Sequence, residues 1–400
     1  MASTHNGSAG QRLAGIDAAR GLALLGMMAT HIFPLWTAGA NPEPSFSGLV
    51  LSGRSSALFA VLAGVGLGLL TGGSRPHSGR SLLADRSGIA VRAAIIAVVG
   101  LMLGTLNVSI AVILVHYAVL FLCALPFLQL RLPVLAAWAG GWLLLSPVAA
   151  YLLRPWLENT LGLASLGHNP MILDVFIPSR FLADIFVTGY YPVLHWLGYI
   201  LVGLLIGRLD IRRAAVQLWL LSGGLAAAAL AKAGSWLIMD GLGGYRQLAS
   251  TEAAERPDFA LIYQVNLSWV DTDDSWWWLG ISGPHSGTTF DLLHTSGTAA
   301  IVLAICLLLT TKKPNLLLPL SGAGAMTLTL YTVHVWVMSL IPKNAVWPGD
   351  NEIYWVQVIV ALSVGTTLHV LDRRGPFEFI TSTASRTTRD AIRGGHRQYS

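Results

Sequence analysis

Residues 13–36 read LAGIDAARGLALLGMMATHIFPLW, an apolar run interrupted by one carboxylate, one guanidinium and one imidazole. At 1.5 Å per residue, a helix of this length crosses a hydrocarbon layer of roughly 30 Å. Runs of the same kind recur, with short interruptions, as far as residue 371. They predict ten spans, at 13–36, 49–71, 88–106, 109–129, 132–153, 186–208, 213–239, 286–310, 315–341 and 352–371. Lipid-exposed backbone must satisfy its own hydrogen bonds, and these runs lack the alternation of barrel strands, so helices are expected. The fold class is therefore read as all-α, a polytopic integral membrane protein with about ten transmembrane helices.

Composition points the same way. The 400 residues are 54% hydrophobic and 11% charged, against roughly 25% charged in soluble domains, and the mean hydropathy is +0.61. The net charge of +5 does not imply a nucleic-acid partner, because the basic residues lie in short loops rather than along one stripe. Those loops hold Arg75, Arg80 and Arg86, then Arg131, then Arg208, Arg212 and Arg213, then Lys312 and Lys313, then Arg373 and Arg374. With ten spans they share a face with both termini, and the positive-inside rule makes that face cytoplasmic. The expected location is a bacterial plasma membrane, with membrane lipids as partners. The expected organisation is a disordered cytoplasmic segment 1–11, a membrane domain 12–374, and a disordered cytoplasmic tail 375–400.

Ala38-Gly39-Ala40 resembles a signal cleavage site, but Asp17, Arg20 and His31 inside the preceding run have no place in a discarded leader, so the segment is read as retained. Cys123 and Cys306 sit inside apolar runs and suggest neither a disulfide framework nor a thiolate site, and no metal is expected. Gly64, Gly66 and Gly68, like Gly203 and Gly207, are read as close helix packing rather than a nucleotide-binding turn. The long loops 154–185 and 240–285 fall on the other face. In the second, Asp271, Asp273 and Asp274 adjoin Trp276, Trp277 and Trp278, which fits an interfacial aromatic belt or a ligand-facing surface equally well.

Ionisable groups within spans are costly and point to function. His31, His116, His195, His294 and His334 all lie five to nine residues from the outer end of their spans, roughly 8 to 14 Å deep. Arg54 joins this layer, and Asp291, three residues before His294, shares its helical face. An outward-opening polar cavity is expected. In the first span Asp17 and Arg20 can pair, while Arg20 and His31, eleven residues apart (31 − 20), share a face about 16 Å apart. A fixed cation can hold an anionic donor, and an imidazole can take a proton from an attacking hydroxyl or amine. That chemistry is acyl transfer.

The stretch Arg12 to Ala23, RLAGIDAARGLA, resembles the opening of the heparan-alpha-glucosaminide N-acetyltransferase-like membrane proteins of the transmembrane acyltransferase superfamily. Gly189-Tyr190-Tyr191-Pro192 leading to Gly203 through Asp210, and Leu328 to His334, LTLYTVH, resemble later parts of the same pattern. The resemblance implies ten or eleven helices and transfer of an acetyl or other acyl group from cytoplasmic acyl-CoA to an acceptor on the far side. The spacing of Arg20 and His31 also resembles that in bacterial surface-polysaccharide O-acyltransferases. In the lysosomal enzyme, however, the loop histidine corresponds to Glu43 here, and a first-helix asparagine corresponds to His31, so Glu43 can share the acid-base role.

The expected function is thus a membrane acyltransferase, with acetyl-CoA or another acyl-CoA as donor and an amine or hydroxyl of an extracytoplasmic glycan or glycolipid as acceptor. His31 and Glu43 are the catalytic candidates, and Asp17, Arg20 and Arg54 the donor-binding ones. His116, His195, Asp291, His294, Tyr331 and His334 would line the acceptor cavity, with Arg54 or Tyr331 stabilising the oxyanion. A homodimer is compatible with this reading. The competing readings are a proton-coupled transporter or flippase of an envelope precursor, disfavoured by the lack of an inverted repeat or matched broken helices, and a haem-binding electron carrier.

Overall fold

A computed structural model of the protein describes residues 13–162, 168–251, 255, 258–268, 270, 274–342 and 349–394. The helices are α1 (Ala14–Ile32), α2 (Arg54–Leu70), α3 (Gly79–Gly104), α4 (Leu114–Ala124), α5 (Leu132–Leu161), α6 (Pro178–Ala183), α7 (Val193–Gly207), α8 (Ala214–Trp236), α9 (Gly244–Leu248), α10 (Phe259–Val265), α11 (Thr289–Lys312), α12 (Leu318–Gly324), α13 (Thr327–Leu340), α14 (Asp350–Val370) and α15 (Pro376–Gly394). Every run expected to span is helical. Among the described residues, six helices are long and apolar enough to cross a membrane, or up to eight if each of two bent pairs counts as one span. The expected ten is therefore not reached by this measure. The α4 region is short, its continuous helical stretch running only from Leu114 to Gln129. The other shortfall is α1, which is buried along most of its length by α2, α11 and α12 and so tolerates polar residues.

Small residues let these helices approach closely. A Cβ on Gly64 or Gly203 would collide with the facing backbone, and Gly68 meets Gly207, so α2 and α7 pack with backbones nearly touching. Gly21 and Gly324 do the same where α12 ends against α1. At that point the chain bends by 79° into α13, and Pro178–Thr188 meets α7 at 53°. Two broken pairs are thus present where the sequence suggested none.

The tail after Arg374 is also not as expected. Residues 376–394 form α15, packed on α3, with Arg389 and Arg393 reaching the fully buried Asp85 at 2.7 and 3.1 Å. The Glu378 carboxylate accepts from the Leu328 and Thr329 amides at 2.7 and 3.2 Å, capping the first turn of α13. Arg208, by contrast, ties carbonyls at helix ends and in the following loop together, donating to Gly68 at 2.9 Å, to Gly73 at 3.0 Å and to Leu128.

The described residues of 240–285 gather around an apolar cluster that includes Phe259, Ile262 and Trp278 and is joined by Met239. Of the three tryptophans, Trp276 is exposed, while Trp278 is buried and donates to Asp274 at 2.6 Å. Of the three, Trp278 lines an internal cleft. Asp271 and Asp273 lie outside the described residues, as do Arg12 and the expected disordered segment 1–11.

Candidate active site

Three internal spaces lie along and beside α1. The Arg20 chamber, about 420 Å³, is lined by Arg20, Arg92 and Arg374 and by apolar groups including Phe59, Tyr117 and Phe121. The His31 chamber, about 130 Å³, is lined by His31, Thr30, Ser52, Ser55, Ser56, Asn266 and His285 among others. The Asp291 cleft, about 90 Å³, is lined by Asp291, His195, Arg154, Tyr151, Tyr190 and Trp278, again with His285. Met27 belongs to both the Arg20 and the His31 chambers. The His31 chamber and the Asp291 cleft share Gly53, Tyr190, Ser268 and His285.

At the Arg20 chamber, the guanidinium donates to Asp17 at 3.0 Å, as the three-residue spacing predicts, and it is stationed opposite Gly66 of α2. Burial of the Asp17 carboxylate is tolerable only with such a partner. Gly66 thus leaves the room that Arg20 occupies. Arg92 enters the chamber from α3, and Arg374 enters from the start of the α15 region, donating to Ser382 at 2.6 Å. Arg92 was legible as a lone arginine in an apolar run but was passed over in the sequence reading.

His31 is held by a chain of hydrogen bonds across three helices. His334 Nδ1 and Gln357 Oε1 are 2.7 Å apart, and His31 Nδ1 and His334 Nε2 are 3.0 Å apart, with near-parallel rings. The Gln357 amide nitrogen turns to the Met338 sulfur at 3.6 Å, leaving its oxygen to accept from His334. His334 Nε2 then accepts from His31 Nδ1, and the lone pair of His31 Nε2 stays free. Gln357, an uncharged residue in an apolar helix, gave no sequence signal.

Tyr331 and Tyr191 meet where the chambers adjoin. The Tyr331 hydroxyl donates to the Ala111 carbonyl at 3.4 Å and accepts from the Ile113 amide at 3.4 Å, while Tyr191 donates to the same carbonyl at 3.2 Å. Tyr331 lines the Arg20 chamber and Tyr191 the His31 chamber.

Other sequence candidates are dispersed. Arg54 stands at the opposite end of α2 from Gly66 and so is remote from Arg20; it donates to the Ser52 carbonyl at 3.2 Å. Glu43 is exposed on the loop after α1, where its backbone pairs with Thr37, and its carboxylate lines none of the three spaces. His116 is buried against Tyr191 with neither ring nitrogen partnered among the described residues, and His294 turns to the Ala228 carbonyl of α8. The single histidine-lined cavity is therefore replaced by two spaces, because depth along a helix does not fix which way a side chain faces.

No curated protein matches the chain. The model of the heparan-alpha-glucosaminide N-acetyltransferase catalytic family matches residues 12–239, which is more than half of the chain and takes in Arg20, His31 and the α2–α7 pairing. The chain belongs to that family of transmembrane acyltransferases.

Proposed function

We propose that the protein moves an acetyl or other acyl group from acyl-CoA, bound in the Arg20 chamber, to a hydroxyl or amine of an extracytoplasmic glycan or glycolipid presented to His31. The observation that carries this reading is that Arg20 and His31, on one helix and about 16 Å apart by helical rise, line two chambers that meet at Met27. The guanidinium groups of Arg20, Arg92 and Arg374 suit the phosphates of coenzyme A. The long flexible arm of that donor suits the distance to the partition.

In the reaction, His31 Nε2 takes the proton of the acceptor as its oxygen or nitrogen attacks the thioester carbonyl. The tetrahedral intermediate collapses with cleavage of the carbon–sulfur bond, and the imidazolium returns the proton to the coenzyme A thiolate. Tyr331, at the partition, is better situated than Arg54 to steady the oxyanion, its hydroxyl turning from the Ala111 carbonyl, which keeps its bond from Tyr191. The positive-inside rule orients the Arg20 chamber to the cytoplasm.

One observation favours a second reading. Broken helix pairs such as the two here also line substrate paths in transporters. The test is purified protein in liposomes with acetyl-CoA and a lipid extract as acceptor. Acyl transfer is expected as a mass increase of one acyl group, abolished in His31→Ala. Substrate movement without acyl-CoA, and no such mass increase, would instead support transport.

A further inference from the structure

His285 precedes α11 in the sequence Gly283-Pro284-His285-Ser286-Gly287 and has φ 62°, a left-handed conformation that only one other non-glycine residue adopts among those described. A side chain there is strained and persists only where its surroundings enforce it. Here they do. The Leu267 amide donates to the Pro284 carbonyl at 2.9 Å, Pro284 abuts Gly53, and the Gly287 amide donates to Asp291 Oδ2 at 3.2 Å. Gly287 in turn fits against the His195 ring, where a Cβ would lie 3.0 Å from it.

The imidazole held this way has no hydrogen-bond partner among the described residues, and it lines both the His31 chamber and the Asp291 cleft. Burial, and next the nearby Arg54 charge, push its pKa down to about 4. The ring is then neutral near pH 7 and offers one donor and one acceptor, the pair that a hydroxyl or amine complements. Apart from an edge-on contact with the Tyr191 ring, 6.5 Å between centroids, this strained imidazole on the wall between cleft and base has no evident part in holding the fold.

We infer that His285 is the acceptor-positioning residue, hydrogen-bonding a hydroxyl- or amine-bearing acceptor where the Asp291 cleft opens onto His31. This inference rests on the acyltransfer reading above. Because the left-handed backbone favours glycine and is tolerated by asparagine, His285→Gly removes the imidazole while relieving the strain, and His285→Asn restores a donor and an acceptor.

The experiment uses the full chain in liposomes, fixed saturating acetyl-CoA, and vesicles of total lipid extract from the expressing cells titrated as acceptor. His285→Gly should melt no lower than the parent, yet raise the apparent acceptor KM about fivefold to tenfold, the factor expected for one lost neutral hydrogen bond. The donor KM should not move, and His285→Asn should recover most of the loss. If the parent transfers acetyl and His31→Ala does not, but every His285 variant keeps the parent's acceptor KM, the inference is wrong and the acyltransfer reading stands. A lowered melting temperature in His285→Gly, matching its lost activity, would assign His285 to loop folding instead. No transfer by the parent would overturn both.

Discussion

At the Arg20 end of α1 a buried carboxylate is met by an opposite charge at 3.0 Å, whereas at the His31 end two imidazoles and an amide pass hydrogen bonds across three helices without any formal charge. The first arrangement presents a guanidinium held in place by its partner and suits holding an anion. The second can gain and lose a proton with little change in geometry. On the proposed reading, one helix serves binding at one end and proton transfer at the other, and substitutions at the two ends should fail in different ways.

The largest difference is expected for His31→Ala, in which turnover should fall between about a hundredfold and ten-thousandfold, the usual worth of a general base. Acetyl-CoA binding, followed by equilibrium dialysis in detergent micelles, should stay at the parent's level. Equal losses of turnover and donor binding would break the division between the two ends.

Arg20→Ala should instead weaken the fold. Taking the cation away from the buried Asp17 carboxylate should lower the melting temperature, and weaker donor binding is expected with it. Pairing the change with Asp17→Asn should restore the melting temperature but not the donor affinity. If the double variant binds donor normally, Arg20 serves α1 alone.

A smaller effect is expected of Gln357→Leu. Without the amide oxygen nothing selects the His334 tautomer, and turnover should drop about tenfold, comparable to one lost hydrogen bond. Gln357→Glu, which keeps an acceptor, should do better than leucine in the same turnover assay. Least of all is expected of Glu43→Gln. Its carboxylate is exposed, and substitution at such a site changes stability by no more than about 0.5 kcal/mol. A turnover loss comparable to that of His31→Ala would return the base to the loop.

The sequence revealed the helices because lipid demands long apolar runs, and it revealed the Asp17–Arg20 pair because three residues place both groups on one helical face. What it could not show was azimuth. His116 and His294 have the expected depth but face neighbouring helices, while His334 turns toward His31. Helix α15 was missed because its polar composition resembles that of an unstructured tail, although Glu378 and Arg389 find partners only once α13 and Asp85 are assembled. The bend between α12 and α13 was hidden for a similar reason, since Gly322 and Gly324 lie within one apolar run and give no angle.

The thin wall between the chambers has an electrical side. A membrane held at 100 mV exerts about 2.3 kcal/mol on each elementary charge that crosses it. With space approaching Met27 from both directions, much of the insulation along this path falls to one thioether side chain and to the Ala111 carbonyl with its two tyrosines. Methionine suits that duty, because an unbranched, flexible side chain can yield to a passing group and then refill the gap. On the proposed reading, a smaller residue at position 27 should open a path between the chambers, seen first as faster decay of a proton gradient across liposomes.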